Sequence, residues 1–451
     1  MTFTVLSDDQ VRDTLEGLSL DEIVEFRRVL AEAMHEFSTN AHASAGGPYQ
    51  QPHRISTMHP ATKATSLYMP SCGPEGMGCK IVTLTTSDVT QDPAVKPIPP
   101  TGVVNLFAPD GQPLGLIHAS TLTAFRTALA STCLLARRSQ VRTITVFGAG
   151  AQAYWHVRLA LMLRGSTIRR VHVVNRRFSD AAASILRRFS LIPADVKRRE
   201  GWEAAEFSML TRAYNEYDRL LREDLLASDV IYCCTPSREP IFDGDILTSH
   251  EGRRRGRLIV AVGSFTPGMR ELPEELLLQA VKTHDHHRHF HKHADDGGVI
   301  VVDTLEGALK EAGELIAAKI EPRQLVELGE LVMLHRMATE DSETTLDSAS
   351  IAASTESAES LSPSQQQGSG GRSRSPAGGI RIPFHHKRSS SSSESASNKK
   401  DKEKEDGLAH WMRDGTVIYK SVGLGLMDLV CGNHLVKLAR EKNIGTQIDG
   451  F

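Results

Sequence analysis

The stretch TITVFGAGAQAYWH, residues 143–156, combines residue types that could hold a phosphate group. An apolar run is followed by Gly148, Gly150 and Ala153 in the pattern GxGxxA, and then by residues suited to a helix. The first glycine of this pattern permits a tight turn, and the second lets the backbone approach a pyrophosphate at the helix N-terminus. The segment predicts a dinucleotide site, with a merely structural glycine turn as the alternative. The candidate phosphate-binding residues are Gly148, Gly150, Ala151 and Gln152.

The end of the next apolar run bears on which dinucleotide binds. An NAD site usually places Asp or Glu there, where the carboxylate accepts hydrogen bonds from the ribose hydroxyls. This chain has Asn175, Arg176 and Arg177 instead, and an arginine suits a 2′-phosphate. The pattern favours NADP(H) and leaves NAD(H) possible, the alternative being that both arginines are simply solvated after a strand.

Five apolar, β-branched runs alternate with segments of helical composition in the centre of the chain. The runs are 143–150, 170–176, 229–235, 257–264 and 298–304. Such alternation is typical of a parallel sheet covered on both faces. The predicted fold class is therefore α/β, with a Rossmann-type doubly wound parallel sheet. Thr235 and Gly263 fall at carboxyl ends of predicted strands, where such sheets bind ligands.

The flanking regions predict a second unit. Residues 21–37 place apolar side chains at helical spacing, and short apolar runs at 80–86, 101–109 and 113–120 read as strands. Folded composition returns after residue 407. We expect an α+β domain built from 1–125 and 408–451 and a Rossmann domain over 126–330, in which 201–224 forms an amphipathic helix. The helix-spaced apolar residues are Ile23, Phe26, Leu30, Met34 and Phe37.

Overall composition points to small-molecule partners. The 451 residues include 52 Lys and Arg against 55 Asp and Glu, so no strong field attracts nucleic acid or anionic lipid. No run of about 18 apolar residues occurs, which predicts no membrane span. The six cysteines form no CxxC pair, so reduced thiols in a cytoplasmic protein are expected.

Residues 339–406 differ sharply from the rest of the chain. They are rich in Ser, Gly, Gln and charged residues, and contain little that could offset the entropy of ordering. The segment is predicted to be a disordered insertion. Its Ser-Pro and Arg-Ser pairs around Ser373 and Ser375 could be phosphorylated, but a passive solvated loop is the favoured interpretation.

A histidine cluster, HDHHRHFHKH, occupies residues 284–293. Six imidazoles in ten residues could bind a transition metal. A closed site also needs fixed geometry, and Asp285, Asp295 and Asp296 are the nearby acids. We expect adventitious metal affinity and no functional metal site.

Several separated stretches together resemble the ornithine cyclodeaminase/mu-crystallin family over nearly the whole chain outside the insertion. The resemblance implies a homodimer in which the N- and C-terminal segments build a substrate-binding and dimerisation domain around the Rossmann domain. The stretches are PHRIS (52–56), YMP (68–70), GCK (78–80), TAFRTALAS (123–131), VFGAGAQA (146–153), VGSFTPGMREL (262–272) and YKSVGLGLMDL (419–429).

Site roles follow from that resemblance. It implies that Arg54, Lys80 and Arg126 surround the substrate carboxylate and the reacting carbon, with Lys80 catalytic and the two arginines binding the substrate. These types suit the task, because arginine forms a carboxylate fork and a lysine of tuned pKa can exchange a proton with an imine. Thr127 resembles a family position that contacts the dinucleotide phosphates. The substrate would be a small molecule derived from an amino acid.

Two departures from the family pattern bear on the reaction. Cyclodeaminases carry an acid at the position of Phe265 and another at the position of Leu67, and neither Phe nor Leu can accept a proton. The resemblance therefore favours the mu-crystallin branch, which implies NAD(P)H-dependent reduction of cyclic ketimines. The alternatives are an ornithine cyclodeaminase or amino-acid dehydrogenase, and a non-catalytic protein that binds NADPH or a small ligand.

Replacing residues 339–406 with a few Gly and Ser residues should leave the melting temperature and turnover unchanged, because the segment offers little to a core and a surface loop tolerates a change of length. Thermal melts and steady-state rates of the full-length and shortened chains test this. A large loss of either in the shortened chain would show that the segment is integral to the fold.

Overall fold

Two β-sheets carry the described part of the chain. The computed structural model describes residues 2–40, 47–85, 98–282, 298–332 and 407–451. These residues form one sheet of seven strands and one of eight. The predicted insertion at 339–406 and the histidine cluster at 284–293 lie outside the described residues.

The first sheet joins strands from both ends of the chain. Its strands are β1 (Thr2–Leu6), β2 (Ile55–Met58), β3 (Thr65–Gly73), β4 (Gly76–Leu84), β5 (Thr101–Phe107), β6 (Pro113–His118) and β15 (Thr446–Asp449). They lie in the order β15-β1-β6-β5-β4-β3-β2. β1 and β6 pair in parallel, whereas the other neighbours are antiparallel.

Four helices accompany this sheet in the described residues: α1 (Asp8–Glu16), α2 (Leu20–Asn40), α3 (Ala119–Leu135) and α14 (Gly425–Glu441). A capping box between Ser7 and Gln10 begins α1. The helix predicted over 21–37 is confirmed by α2, which buries four of its five helix-spaced apolar residues and leaves Phe37 half-buried. α14 packs against β3, β4 and β5 as well as α2 and α3, so one face of the sheet is covered by helices.

The second sheet is parallel throughout its described strands. Its strands are β7 (Thr143–Phe147), β8 (Arg170–Asn175), β9 (Glu206–Thr211), β10 (Val230–Cys233), β11 (Leu258–Ala261), β12 (Ile300–Val302), β13 (Leu325–Glu327) and β14 (Val417–Lys420). The order is β13-β12-β14-β11-β10-β7-β8-β9. Because the chain runs from β7 out to β9 and then returns to β10 on the other side, the topological switch point lies between β7 and β10. The predicted α/β class with a Rossmann-type sheet is confirmed.

Short helices connect these strands. They are α4 (Ala151–Arg164), α5 (Asp180–Leu191), α6 (Ala194–Glu200), α7 (Tyr217–Ala227), α8 (Asp245–Thr248), α9 (Glu274–Ala280), α10 (Leu305–Glu311), α11 (Gly313–Ala317), α12 (Leu328–Val332) and α13 (407–414), with 3₁₀ turns at Gly252–Arg254 and Pro322–Gln324.

The helix expected over 201–224 is wrong in its first half. Residues Glu206–Thr211 form the edge strand β9, which pairs with β8 along its length, and α7 begins only at Tyr217. The backbone groups on one side of this segment pair with the neighbouring strand, and Leu210 and Thr211 are buried there.

The expected grouping of all of 408–451 with the N-terminal unit is also wrong for one strand. β14 lies in the second sheet, between β11 and β12. Its four residues, VIYK, are all buried, as a central parallel strand covered on both faces requires. The remainder of the C-terminal segment, α14 and β15, packs with the first sheet.

Candidate active site

A cavity of about 970 Å³ lies between the first sheet and the carboxyl edge of the second. The first sheet contributes side chains of β3 and β4, and the second contributes the segments that follow β7, β10 and β11. Among the described lining residues none is acidic and four are cationic: Arg54, Lys80, Arg126 and Arg238. Much of the remaining wall is apolar and includes Leu67, Met69, Val82, Leu84, Phe265 and Met269.

Lys80 and Arg126 meet at one buried carboxylate. Lys80 comes from β4, Arg126 from α3, and Asp428 from the first turn of α14. The Lys80 Nζ lies 3.1 Å and 3.2 Å from the two Asp428 oxygens, and the Arg126 Nε donates to Asp428 Oδ1 at 3.2 Å. All three side chains are at most 4% exposed. Two of the three predicted basic residues are therefore brought together, at an acid that sequence reasoning did not assign.

The proton affinity of Lys80 reflects this setting. Burial lowers the pKa of Lys80 from 10.5 to about 8, because the charged ammonium loses its hydration. Asp428 opposes the change, while the positive charge of Arg126 adds to it. Lys80 can therefore exchange a proton near neutral pH, which an exposed lysine does poorly.

A tight turn after β14 closes over Arg126. Gly423 adopts a left-handed φ of 87°, and a Cβ atom there would lie 3.0 Å from the Arg126 guanidinium. Asp303 holds the turn by accepting hydrogen bonds from the Ser421 hydroxyl and from the backbone N–H groups of Val422 and Gly423, at 2.8, 3.0 and 2.6 Å. Glycine is required here both by the backbone conformation and by the close approach of the arginine.

Arg54, the third predicted basic residue, lines the cavity but has other partners. It immediately precedes β2 and is 21% exposed. Its Nη2 donates to the Phe265 carbonyl oxygen at 3.2 Å and forms an ion pair with Glu311 of α10. Its charge still acts on Lys80, whose pKa it helps to lower.

The glycine-rich turn has the form that a dinucleotide requires. Gly148 has a φ of 103°, and a Cβ atom there would lie 2.8 Å from the Cys234 carbonyl oxygen. A Cβ atom on Gly150 would meet no atom of the described residues within 4 Å, so the backbone faces open space. Gly150 is the N-cap of α4, and Ala151 and Gln152 begin that helix and line the cavity. The backbone N–H groups at the start of a helix have no partner within the helix, so this end of α4 suits phosphate oxygens.

Gln152 gives a further sign of fit, because its buried Oε1 has no hydrogen-bond partner among the described residues. Thr127 also lines the cavity, next to Arg126 on α3, and its hydroxyl donates to the Thr123 carbonyl oxygen at 2.8 Å. The Thr127 oxygen retains the capacity to accept a hydrogen bond.

A second unassigned acid, Glu271, organises the carboxyl edge of the parallel sheet. The side chain is fully buried and accepts the N–H groups of Thr235 and Gly263, each at 2.7 Å, and of Ser264 at 3.1 Å. The Thr235 hydroxyl also donates to it, at 3.1 Å. Burial raises the pKa of Glu271 to about 7. Glu271 therefore holds the ends of β10 and β11 together, and both polar backbone and side-chain groups of Thr235 are used in this contact. Gly263, which also donates to Glu271, lines the cavity.

The residues expected to select the dinucleotide lie beyond the end of β8. The Asn175 side chain donates to the Arg177 carbonyl oxygen at 2.8 Å, and Arg176 and Arg177 are exposed. Asn175 pairs with Thr211 at the end of β9, so Arg212 begins the neighbouring segment. The sequence did not place Arg212 beside Arg176 and Arg177, because β9, the strand that precedes it, was expected to be a helix.

The signals for the two missed acids were present but weak. Asp428 is the acid within the apolar stretch GLGLMDLV, which is typical of a buried, paired carboxylate. Glu271 belongs to the MREL stretch that carried the family resemblance. In both cases the partners lie on other elements, so local patterns could not identify the role.

The described ranges show neither a metal cluster nor a membrane-spanning helix. They contain no group of three or more His, Cys, Asp or Glu side chains placed to hold a metal ion. Across the same ranges, no helix combines the length and apolar character needed to cross a bilayer.

Two proteins of similar sequence extend over most of this chain. The uncharacterised protein YGL159W of Saccharomyces cerevisiae is 26% identical over 349 residues, which cover 73% of this chain and 86% of the relative. A Delta(1)-pyrroline-2-carboxylate reductase of Bacillus cereus is 28% identical over 317 residues, covering 69% of this chain and 78% of the relative.

The fold also has close counterparts among solved structures. Thermococcus litoralis Delta(1)-pyrroline-2-carboxylate reductase, solved in complex with NADH and L-proline, aligns with a TM-score of 0.59 and 20% identity, covering 99% of this chain and all of that one. The sequence model of the ornithine cyclodeaminase/mu-crystallin family matches residues 17–199. Over these residues the chain is similar to the ornithine cyclodeaminase/mu-crystallin family.

Proposed function

We propose that this protein is an NAD(P)H-dependent reductase that acts on the C=N bond of cyclic ketimine carboxylates. The observation that carries the proposal is that one cavity is lined both by the Lys80–Arg126 pair and by Gly150, Ala151 and Gln152 at the start of α4. A proton donor, a carboxylate-binding cation and a phosphate-binding helix N-terminus thus face the same space. The similar reductase of Bacillus cereus, named for a cyclic imino acid, supports the same class of substrate.

In the proposed binding mode, Gly150, Ala151 and Gln152 hold the dinucleotide phosphates, with Thr127, Thr235 and Gly263 nearby. When bound, the dinucleotide supplies a hydride to the carbon of the C=N bond. Arg126 and Arg54 bind the substrate carboxylate and fix the ring. Lys80 donates a proton to the imine nitrogen, which makes the carbon more electrophilic, so that the proton and the hydride together convert the imine to an amine. Asp428 holds Lys80 and Arg126 in place.

Cyclodeamination of ornithine is the weaker candidate. It needs acids that handle ammonia and water, and the positions concerned hold Phe265 and Leu67, both of which line the cavity. A ligand-binding protein without turnover is disfavoured because a buried lysine lies beside Arg126 in the cavity wall, and this pair suits proton transfer and carboxylate binding. Two assays separate the reductase, the cyclodeaminase and the binding protein. One measures oxidation of NADPH and NADH with 1-pyrroline-2-carboxylate and 1-piperideine-2-carboxylate, and the other measures ammonia release from ornithine. Ammonia release without imine-dependent oxidation would refute the reductase.

The proposed cofactor preference is NADP(H). Arg176 and Arg177 are exposed beyond β8, and Arg212 begins the segment beyond the adjacent β9. No acid precedes them to accept bonds from ribose hydroxyls, because β8 ends in Asn175. Three guanidinium groups at this edge suit a 2′-phosphate.

A homodimer is the proposed assembly. In the first sheet, residues on the face away from α14 are half-buried, whereas their neighbours on the helix side, such as Lys80, Val104 and Ile117, are buried. The half-buried set shares one face through its register and is largely apolar: Val5, Tyr68, Ile81, Val103 and Leu116. A second copy of the chain would cover such a face.

The proposed location is the cytoplasm. The six cysteines form no disulfide bonds, which fits a reducing compartment.

The rate of reduction should fall as pH rises through about 8. Burial lowers the pKa of Lys80 to about 8. The proton donor is therefore present below that pH, and above it the protonated fraction of Lys80 falls about tenfold for each pH unit. Asp428→Asn removes the charge that raises this pKa, and should move the alkaline limb of the kcat profile to lower pH. A limb that stays in place in the variant would exclude Lys80 as the titrating donor.

Arg176→Asp should weaken NADPH binding by about 10- to 100-fold, the loss of a charge-assisted hydrogen bond, while NADH binding changes little. Fluorescence titration of each dinucleotide measures the two constants. Arg170→Asp, at the exposed opposite end of the same strand, is the matched control. Equal weakening of both dinucleotides would remove the argument for NADP(H).

Val103→Asp should convert the dimer to a monomer, because it buries an unpaired carboxylate in the proposed interface. Light scattering coupled to size exclusion measures the mass. Leu278→Asp replaces an exposed apolar residue on α9 and should leave the mass unchanged. A monomeric wild type, or a dimeric Val103 variant, would contradict the assignment of this face.

A further inference from the structure

The segment before β2 is held to α10 at the mouth of the cavity. The His53 Nε2 lies 2.7 Å from a carboxylate oxygen of Glu306 and 2.8 Å from the Lys310 ammonium. Next to it, the Arg54 guanidinium forms its ion pair with Glu311. These contacts join the first sheet to α10, the helix that follows β12. Of the five residues in these contacts, Arg54 lines the cavity.

The atom through which Arg54 binds Glu311 decides what else it can bind. A guanidinium can grip a carboxylate with two N–H groups along either of two edges, Nε with Nη2 or Nη1 with Nη2. Both edges include Nη2. In this structure Nη2 is the atom that contacts Glu311 and that donates to the Phe265 carbonyl oxygen. A two-point grip on a substrate carboxylate therefore conflicts with the Glu311 pair.

We infer that Glu311 competes with the substrate carboxylate for Arg54, and is thus a positioning residue that sets substrate affinity. The inference rests on the proposed function, in which Arg54 binds that carboxylate. Glu311 belongs to no stretch of the family resemblance and does not line the cavity, so its effect is exerted through Arg54.

Burial makes this competition measurable. The side chains of Arg54 and Glu311 are 21% and 26% exposed, so their charges are only partly screened by water. Burial raises the pKa of Glu311, whereas Arg54 favours its charged form. Without the acid, the Arg54 charge is left unneutralised, and the Nη2 N–H group that faces Glu311 is released for the substrate, while Nη2 still donates to the Phe265 carbonyl oxygen.

Glu311→Gln should lower the KM for 1-pyrroline-2-carboxylate by about three- to fivefold, the strength of a partly exposed ion pair, with little change in kcat. Glu306→Gln is the matched control, because it loosens the same segment without releasing Arg54. A merely structural role would make the two variants behave alike. In an Arg54→Ala background, Glu311→Gln should have no further effect on KM.

Direct binding provides a second measurement. L-proline is titrated in the presence of oxidised dinucleotide, and its Kd should be lower in Glu311→Gln than in the wild type, by the same factor as KM. The Kd of Glu311→Asp should lie between those of Glu311→Gln and the wild type. An unchanged or raised KM and Kd in Glu311→Gln, with an active wild type, would overturn this inference alone. A wild type that reduces no cyclic ketimine would overturn the proposed function and this inference with it.

Discussion

The carboxylate of Asp428 is the group on which the candidate site depends. Lys80 and Arg126 are 4% and 3% exposed, and two cations cannot be buried side by side without a counter-charge. The acid sits on α14, the lysine on β4 and the arginine on α3, so a single ion-pair cluster joins the first sheet, the helix that leads into the parallel sheet, and the C-terminal helix. Removing the acid would leave two buried cations unpaired, which should destabilise the fold as well as lower the pKa of Lys80.

Two more buried carboxylates act on the backbone in the same region. Glu271 accepts three N–H groups from the ends of β10 and β11, and Asp303 accepts two from the turn that closes over Arg126. Ends of strands leave such N–H groups without partners in the sheet, and burying them unsatisfied is costly. The acids therefore make it possible for the cavity to have walls of bare backbone, which a ligand can approach closely. Arg126 is fixed from two sides, by Asp428 and by the turn that Asp303 holds.

How far the sequence predicts this arrangement depends on the range of the interaction involved. Patterns that repeat within one element were read correctly: the apolar strands of the parallel sheet, the helix α2, and the turn at Gly148 with its left-handed backbone. The edge strand β9 was missed because its alternating run is only a few residues long and lies in a segment that also fits a helix, so that its pairing with β8 decides between the two. Asp428 and Glu271 were missed for a related reason, since a buried acid is explained only by partners brought from elsewhere by the fold. The strand β14 was misplaced because its position in the sheet depends on contacts that composition does not encode.

The charges around Lys80 restrict what the cavity can accept. Lys80, Arg126 and Arg54 carry three positive charges, and their partners Asp428 and Glu311 carry two negative ones, so this cluster has an excess of one positive charge, which one substrate carboxylate would balance. Arg238, the fourth cation of the lining, adds to the positive charge of the cavity. The rest of a substrate meets walls such as Leu67, Val82 and Phe265, and none of the described lining residues is an acid that could pair with an ammonium group. A cyclic imine carboxylate brings one negative charge and an uncharged ring, whereas ornithine brings a side-chain ammonium that would be buried near three cations. The same arrangement that attracts the first therefore repels the second.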